Sequence, residues 1–320
     1  MEKRQTRQKI VLKQPIMRRV IIATIPCIIA SIYFFGWRSL VMVVVSCIAA
    51  FITEFIFVRR FNEPVSEAVF VSAIIYALIM PPTVPWHALI IGIVFSIIFA
   101  KMVFGGFGRN IFNPAMAGRA FVYISFPIAL TATWAPAAQG LWGALGMWTT
   151  QTPDVITAAT PMALVKAGAA PPPPLLNLLI GNISGTMGVT SAIGILCGGM
   201  YLFITKTANR SIIITVIAVY ALLNGLFAVL GLPGVPGILP ALLGGGFLFG
   251  AFFMATDPIS APRLLPAQII YAAVIATAAA IINTFSVFNG GFMFALLFAN
   301  MFAPILDYGF KQHQKGEAGR

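Results

Sequence analysis

Long apolar runs recur along the whole sequence, and they constrain the fold more than any other feature. Hydrophobic residues make up 59% of the 320 residues and charged residues 9%, against about 25% charged in a typical soluble domain. A helix needs about 20 apolar residues to cross a hydrocarbon core of about 30 Å. We therefore predict an all-α integral membrane protein whose ten transmembrane helices lie near residues 20–37, 40–58, 68–80, 86–104, 115–130, 188–204, 211–230, 238–255, 265–282 and 292–308.

The basic residues indicate how such a chain is oriented. With these spans and a cytoplasmic N-terminus, every Lys and Arg except Arg38 and Lys166 falls on the cytoplasmic side. Cytoplasmic segments are enriched in Lys and Arg, and a missed helix would invert every later loop. The sequence therefore predicts a multi-pass protein of a bacterial or archaeal cytoplasmic membrane with both termini cytoplasmic. The net charge of +12 does not indicate nucleic-acid binding, because it is spread over several segments instead of forming one patch.

A long extracytoplasmic loop divides the predicted spans into five and five. The segments are a cytoplasmic N-terminus 1–19, a first transmembrane half 20–130, the loop 131–187, a second half 188–310 and a cytoplasmic tail 311–320. Duplicated units with an odd number of spans have opposite orientations in the membrane, and interrupted spans at matching positions are typical of them. The third span of each half ends at a break, with Pro81 and Pro82 in the first and Asp257 and Pro258 in the second. These features predict an inverted repeat; ordinary helix termination by proline is the alternative.

No metal-binding or catalytic pattern occurs in the sequence. The three cysteines are isolated in apolar runs, the two histidines are far apart, and no nucleotide-binding loop or hydrolase triad is present,. We predict neither a metal site nor a catalytic residue. Glu54 is the acid expected at membrane depth, where a charge is costly unless it has a role. Ion handling and pairing with the following Arg59 and Arg60 are the two interpretations.

Glycine and asparagine are concentrated in the segment "GGFGRNIFNPAMAGRAF", residues 105–121, between the fourth and fifth spans. Glycines permit a close approach of the backbone, and Asn110 and Asn113 offer both donors and acceptors. Asn113 before Pro114 is also typical of a helix N-terminus. The residues alone leave ligand binding and a capped turn equally open.

Four motifs in this order resemble those of one protein family. They are "GGFGRNIFNPAMAGRAF", "DVITAATP", "FFMATDPISA" and "LFANMFAPILDY", and the resemblance runs from about residue 16 to 310. The family is the membrane flavoprotein component shared by two redox-driven ion pumps. Its members are NqrB of the sodium-translocating NADH:quinone oxidoreductase (the Nqr complex) and RnfD of the Rnf ferredoxin:NAD complex. The resemblance implies a fold similar to that of urea transporters.

The resemblance also implies a cofactor on the extracytoplasmic loop. In this family an acid, a Ser or Thr three residues later and a Thr a further three residues on mark covalent attachment of FMN through its phosphate. Here these positions are Asp154, Thr157 and Thr160. The expected product is an FMN phosphoester on the Thr160 hydroxyl, installed by a separate flavin transferase outside the cytoplasm. Alanines at 158 and 159 depart mildly from the more frequent Gly-Ala pair.

A second flavin, noncovalent riboflavin, is implied near the cytoplasmic Gly/Asn turn, with Asn110 and Asn113 as candidate ligands. The chain would then pass electrons between the two flavins, coupled to transport of Na⁺ or H⁺, with flavin and iron–sulfur subunits of the complex as partners. The short N-terminus is the Rnf pattern, whereas several motifs are closer to the quinone reductase. A urea-transporter-like channel without redox function is the alternative of another class.

Overall fold

The structure is a computed structural model, and it describes residues 10–150, 160–286, 288 and 290–318. Helices make up nearly all regular structure in these residues, and two short strands, β1 (Val11–Leu12) and β2 (Val65–Ser66), pair in parallel. The helices are α1 (Pro15–Phe35), α2 (Arg38–Arg59), α3 (Ala68–Leu78), α4 (Trp86–Ile97), α5 (Pro114–Ser125), α6 (Pro127–Thr131), α7 (Pro161–Lys166), α8 (Leu175–Ile180), α9 (Ala192–Ile204), α10 (Arg210–Val229), α11 (Ile238–Leu243), α12 (Phe247–Phe249), α13 (Leu265–Phe285) and α14 (Gly291–Ala318). π-helical turns follow α4 (Ile98–Met102) and α12 (Gly250–Met254).

Five of the described helices are long and apolar enough to cross a membrane, namely α1, α2, α10, α13 and α14. Shorter apolar helices include α3, α9 and α4 with its π-helical turn. Large apolar side chains such as Ile48 and Leu222 are exposed on the long helices, as expected of surfaces that face lipid. The prediction of a helical, multi-pass membrane protein is confirmed in this form.

Several predicted spans are interrupted. The prediction of one continuous helix over 238–255 is wrong, because α11 ends before three successive glycines at 244–246 and α12 begins after them. Gly246 has a φ of +77°, and an added Cβ would lie 2.5 Å from Val189 Cγ1, so a larger residue is excluded. The span predicted over 188–204 is helical from Ala192 onward. The span predicted over 115–130 is divided at Pro127, where α6 begins, since proline lacks an N–H donor.

Other boundaries differ less. The described part of the predicted loop 131–187 contains α7 and α8, which are too short to show a helical period. α1 starts at Pro15, inside the predicted N-terminal segment 1–19. α14 continues to Ala318, through most of the predicted tail 311–320.

The helices form two groups. In the first, α2 packs against α3 and α4, and α4 packs against α5; in the second, α10 packs against α11 and α13, and α13 packs against α14. The groups meet where α1 packs against α9 and where α5 packs against α14. A Cβ at Gly198 of α9 would collide with the Ala23 carbonyl oxygen of α1. Small residues at such crossings let membrane helices approach closely.

We name the two ends of the bundle by their contents. The loop end holds the α1–α2 corner, covered by residues 132–150: the Trp37 and Arg38 backbone N–H groups donate to the carbonyls of Met147 and Trp148, at 3.2 and 2.8 Å. The basic end is the opposite one, where α2 ends at Arg59 and α13 begins after Arg263.

Candidate functional site

A cavity of about 210 Å³ opens between the two helix groups on the loop-end side. We call it the loop-end cavity. Its wall includes aromatic side chains from both groups: Tyr123, Trp134, Tyr220, Phe247, Phe249 and Phe292. The Tyr220 and Phe247 rings are stacked with centroids 3.8 Å apart, and the Tyr220 hydroxyl accepts a hydrogen bond from Asn283 Nδ2 at 3.0 Å. The cavity is therefore large, flat-walled and mainly apolar.

Thr160 lies at this cavity. It is the N-cap of α7, and its Oγ1 accepts a hydrogen bond from the Ala163 N–H at 3.3 Å. The residue is half-buried and belongs to the cavity lining. Because Pro161 occupies the first helical position, where a missing N–H costs nothing, the local sequence fixes the start of α7 at this threonine. Because Thr160 Oγ1 is the acceptor in the cap hydrogen bond, the cap does not use the hydroxyl proton, and that proton can be replaced by a phosphoester.

The cations of the lining are Lys166 and Arg119, and the described lining residues include no acid. Lys166 Nζ donates to the carbonyls of Phe288 at 2.9 Å and Ile282 at 3.3 Å, at the loop end of α13. Partial burial lowers the pKa of Lys166 below its ordinary value. The two cations give the cavity a positive potential, which favours an anionic ligand.

The floor of the cavity is the broken end of α3. Its last carbonyl groups have no partner within the helix, and they are satisfied from elsewhere. Gly188 N donates to Leu78 O at 2.8 Å, Met187 N donates to Met80 O at 3.0 Å, and Arg119 Nη1 donates to Ile79 O. Arg119 is therefore not in a cytoplasmic turn, as the charge pattern predicted, but lies within α5 with its guanidinium group in the protein interior.

Two buried polar atoms of this lining have no hydrogen-bond partner among the described residues. They are Thr190 Oγ1 and Arg119 Nε. Thr190 is 3% exposed. A buried polar group without a partner is uncommon and costs about 1–3 kcal/mol. These atoms are free to bind a ligand with acceptor atoms.

Asn110 and Asn113 lie together at a second, smaller cavity of about 50 Å³, which also has Lys101 and Asp257 in its lining. We call it the basic-end cavity. A cavity of this volume holds about three waters and is too small for a three-ring flavin in this conformation.

The asparagines at the basic-end cavity already have partners. Asn113 Oδ1 accepts from Met116 N at 3.3 Å, as the N-cap of α5, while Asn113 Nδ2 donates to Met254 O at 3.4 Å. Asn110 Nδ2 donates to Phe112 O at 3.1 Å. Their geometry is that of a capped turn, and their role toward a flavin stays a prediction.

Glu54 is buried and paired beside this cavity. Its Oε2 is 2.5 Å from Lys101 Nζ, and each side chain is 2% exposed. Its Oε1 accepts from the backbone N and the Oγ of Ser66, at 2.9 and 2.7 Å. The expected pairing with Arg59 or Arg60 is replaced by a partner 47 residues away, which the sequence order does not reveal.

Two residues of the predicted attachment motif, Asp154 and Thr157, lie outside the described residues. Within the described ones, no group of three His, Cys, Asp or Glu side chains is placed to hold a metal ion. Sequence reasoning missed Thr190, Asn224 and Tyr220 as cavity residues, because each sits in an apolar or small-residue run that gives no signal of a site.

Comparison with known proteins identifies the family. The model of the NQR2, RnfD, RnfE family matches residues 5–316. The chain belongs to this family. The D subunit of the ion-translocating oxidoreductase complex of Aliivibrio salmonicida is 32% identical over 95% of this chain and 95% of its own length. The B subunit of the Na(+)-translocating NADH-quinone reductase of Haemophilus influenzae is 38% identical over 80% of this chain and 62% of its own length.

Membership of the NQR2, RnfD, RnfE family confirms the resemblance found in the four motifs. A second quinone-reductase relative, the B subunit from Chromohalobacter salexigens, is 34% identical and again matches over 62% of its own length. This chain thus matches the Aliivibrio salmonicida relative over nearly its full length, whereas it spans less than two thirds of these two quinone-reductase relatives.

Proposed function

We propose that this chain is RnfD, the D subunit of an Rnf-type ion-translocating ferredoxin:NAD oxidoreductase, in a bacterial or archaeal cytoplasmic membrane. It would pass electrons across the membrane within a complex that moves Na⁺ or H⁺. The observation that carries the proposal is the 32% identity over 95% of both chains with a protein named as the D subunit of an ion-translocating oxidoreductase complex. The second candidate is NqrB, the B subunit of the Na⁺-translocating NADH:quinone reductase, which the 38% identity to one such protein favours.

We further propose that FMN is linked through its phosphate to the Thr160 hydroxyl by a partner flavin transferase. The support is the fit of the loop-end cavity to such a group. Thr160 lines the cavity, the wall has several aromatic rings, and the charged residues among the described lining residues are cations. A flavin supplies one- and two-electron transfer that no side chain of this protein offers.

The residues of this chain have three tasks in that arrangement. Thr160 holds the phosphate in place, and Lys166 provides positive charge at the loop end. The aromatic walls exclude water from the ring, which strengthens every electrostatic interaction inside the cavity. The protein must also bind the coupled ion with different affinities in its two redox states, or electron flow moves nothing.

Asn110 and Asn113 are proposed to bind a second, noncovalent riboflavin near the basic end. Both line the basic-end cavity next to the start of α5. Binding there requires the cavity to widen, because about 50 Å³ is available. Movement of α5 or of residues 105–113 would supply the space.

Ten crossings in an inverted five-plus-five arrangement, similar to the urea-transporter fold, are also part of the proposal. The contacts of α2, α4 and α5 with one another match those of α10, α13 and α14. α3 in one group and α11 with α12 in the other are the interrupted elements. The groups meet through pairs of equivalent helices, α1 with α9 and α5 with α14, as a two-fold axis in the membrane plane requires.

In-gel fluorescence tests the cofactor. The full chain is produced with the flavin transferase, denatured, separated on a gel and viewed under ultraviolet light. We expect a fluorescent band that Thr160→Ala abolishes. Thr131→Ala is the matched control, since Thr131 also lines the cavity, and it should leave the band bright. A dark wild-type band would refute the flavoprotein and favour a channel without redox function.

Labelling of intact cells tests the orientation. In a chain without its three native cysteines, a membrane-impermeant maleimide should label Leu141→Cys, since Leu141 is 88% exposed at the loop end. His313→Cys near the end of α14 should react only after the cells are opened. The reverse pattern would place Thr160 in the cytoplasm and contradict the proposed attachment. Co-purification of an iron–sulfur protein, or of an NADH-oxidising flavoprotein, distinguishes the Rnf and quinone reductase alternatives.

A further inference from the structure

The floor of the loop-end cavity combines a cation with two unused hydrogen-bonding atoms. One guanidinium nitrogen of Arg119 donates a hydrogen bond to the Ile79 carbonyl, while its Nε has no partner among the described residues. Thr190 Oγ1 is also buried without a partner there. Since such atoms cost about 1–3 kcal/mol each, a ligand that fills this cavity gains binding free energy by satisfying them.

Arg119 and Thr190 are both held close to the C-terminal end of α3. Arg119 bonds the end of α3 directly, and Thr190 follows the residues Met187 and Gly188, which also bond the end of α3. The helix α3 has 11 residues and is therefore about 16 Å long, so it ends roughly half-way across a core of about 30 Å. Arg119 and Thr190 thus belong to the deep part of the cavity, whereas Thr160 belongs to the loop end.

This separation decides which end of the flavin they meet, an inference that rests on the proposed attachment of FMN to Thr160. A phosphate esterified to Thr160 stays at the loop end, where Lys166 also lies. The ring at the other end of the ribityl chain would then be held in the deep part, between the aromatic side chains of the wall. The ring's hydrogen-bonding atoms are concentrated at its pyrimidine edge, where N1 and the C2 carbonyl oxygen are acceptors.

We propose that Arg119 and Thr190 bind the pyrimidine edge of this flavin and make its reduction more favourable. A flavin that takes up one proton and two electrons from an iron–sulfur partner subunit would carry a negative charge spread over N1 and the C2 oxygen. A buried guanidinium group stabilises that charge more than it stabilises the neutral oxidised ring. Charge-assisted hydrogen bonds of this kind are about twice as strong as neutral ones.

The midpoint potential of the Thr160-linked flavin tests the proposal. The purified full chain is titrated with reductant while its absorbance is recorded, and the same titration of Thr160→Ala protein is subtracted. The subtraction removes the signal of any other flavin, and the midpoint potential is read from the remaining curve. Arg119→Gln should weaken the preference for the reduced flavin at least tenfold, which lowers the potential by about 30 mV for a two-electron couple. Arg119→Lys keeps the charge and should restore most of the difference.

Thr190→Val provides the second variant and does not depend on Arg119. It removes an unpartnered hydroxyl at nearly constant volume, and it should lower the potential by a smaller, severalfold effect. Thr150→Val is its matched control. Thr150 is also buried with an unpartnered hydroxyl, but it is not part of the cavity lining. The flavin of Thr150→Val should therefore have the same midpoint potential as that of the wild type.

The outcomes test the attachment of FMN to Thr160 separately from the role of Arg119 and Thr190. No fluorescent band in the wild type refutes the proposed attachment itself. A fluorescent band with unchanged potentials in Arg119→Gln and Thr190→Val overturns the inference and leaves the attachment standing. If Arg119→Gln does not accumulate, Thr190→Val against Thr150→Val decides the question. Lowered potentials in the cavity variants alone support it.

Discussion

The two cavities of this protein differ in how their polar atoms are used. At the basic-end cavity, Asn113 and Asn110 bond neighbouring backbone groups, and Lys101 pairs with Glu54. At the loop-end cavity, Thr190 Oγ1 and Arg119 Nε have no partner in the part of the chain that the structure describes. The volumes follow the same division, about 50 Å³ against about 210 Å³.

The polar atoms of the basic-end cavity are already bonded within the protein, whereas those of the loop-end cavity are available to a ligand. Hydrogen bonds that are complete in the absence of a ligand must be broken before a ligand can use those atoms, so binding at the basic end carries a cost. Unused atoms in a larger cavity are available at once, and preorganisation of this kind favours affinity. A permanently attached cofactor suits the loop end, and a ligand that comes and goes suits the basic end.

The largest expected effect is at the basic end, on removal of one member of the buried ion pair. Lys101→Ala leaves Glu54 charged and unpaired, and we expect a loss of about 3–5 kcal/mol in the free energy of unfolding. Denaturation by SDS of the detergent-solubilised chain, followed by circular dichroism, measures it. The double variant Lys101→Met with Glu54→Gln should lose markedly less. Equal losses would mean that the pair is not the source of the effect.

A smaller effect is expected from Asn113→Ala, which removes the cap of α5 and the bond to the Met254 carbonyl. The unfolding free energy should fall by about 1–3 kcal/mol. Asn209→Ala is the control, since Asn209 caps α10 with a single bond to Ser211 N and should cost about 1 kcal/mol. If Asn113→Ala costs no more than Asn209→Ala, the bond across to Met254 contributes nothing.

Loss of noncovalent flavin is the functional counterpart of that variant. Acid extraction of the native protein and chromatography should recover riboflavin from the wild type and less than about a tenth as much from Asn113→Ala or Asn110→Ala, because each variant loses a polar group. The covalent band in the gel should be unchanged in both. Undiminished riboflavin would remove the two asparagines from the second site and leave them as turn residues.

The smallest effect is expected at the loop end, from Thr190→Val in the flavin-free Thr160→Ala background. Removal of a buried hydroxyl without a partner should be neutral or stabilise the fold by up to about 1 kcal/mol. The same denaturation experiment measures it. Destabilisation by more than this would show that the hydroxyl has a partner within the protein and would remove the contrast between the two cavities.

The sequence predicted the class of fold better than it predicted the interior. Apolar runs of membrane length identify helices such as α2 and α10 directly, because lipid requires them. The interruption at residues 244–246 was missed, since the glycines stand inside an apolar run that reads as one span. The turn Ile98–Met102 gave no signal either, because a π-helical turn leaves no mark on hydropathy.

Long-range polar contacts were beyond sequence reasoning for a different cause. The pairing of Glu54 with Lys101 and of Arg119 with the Ile79 carbonyl joins residues 47 and 40 positions apart. Sequence proximity points to basic residues that follow closely, and it led to Arg59 and Arg60, five and six positions after Glu54. Counting Arg119 as a cytoplasmic charge was wrong for the same reason. The number of basic residues in a segment does not show that one guanidinium group lies inside the helix bundle.

Thr160 is connected to different helix groups on its two sides. Upstream, the backbone of Met147 and Trp148 is bonded to the α1–α2 corner; downstream, Lys166 holds the carbonyls at the far end of α13. A displacement of α13 is therefore passed to Thr160 through Lys166 and the short helix α7. Movement at that end of α13 is in this way coupled to whatever group Thr160 carries.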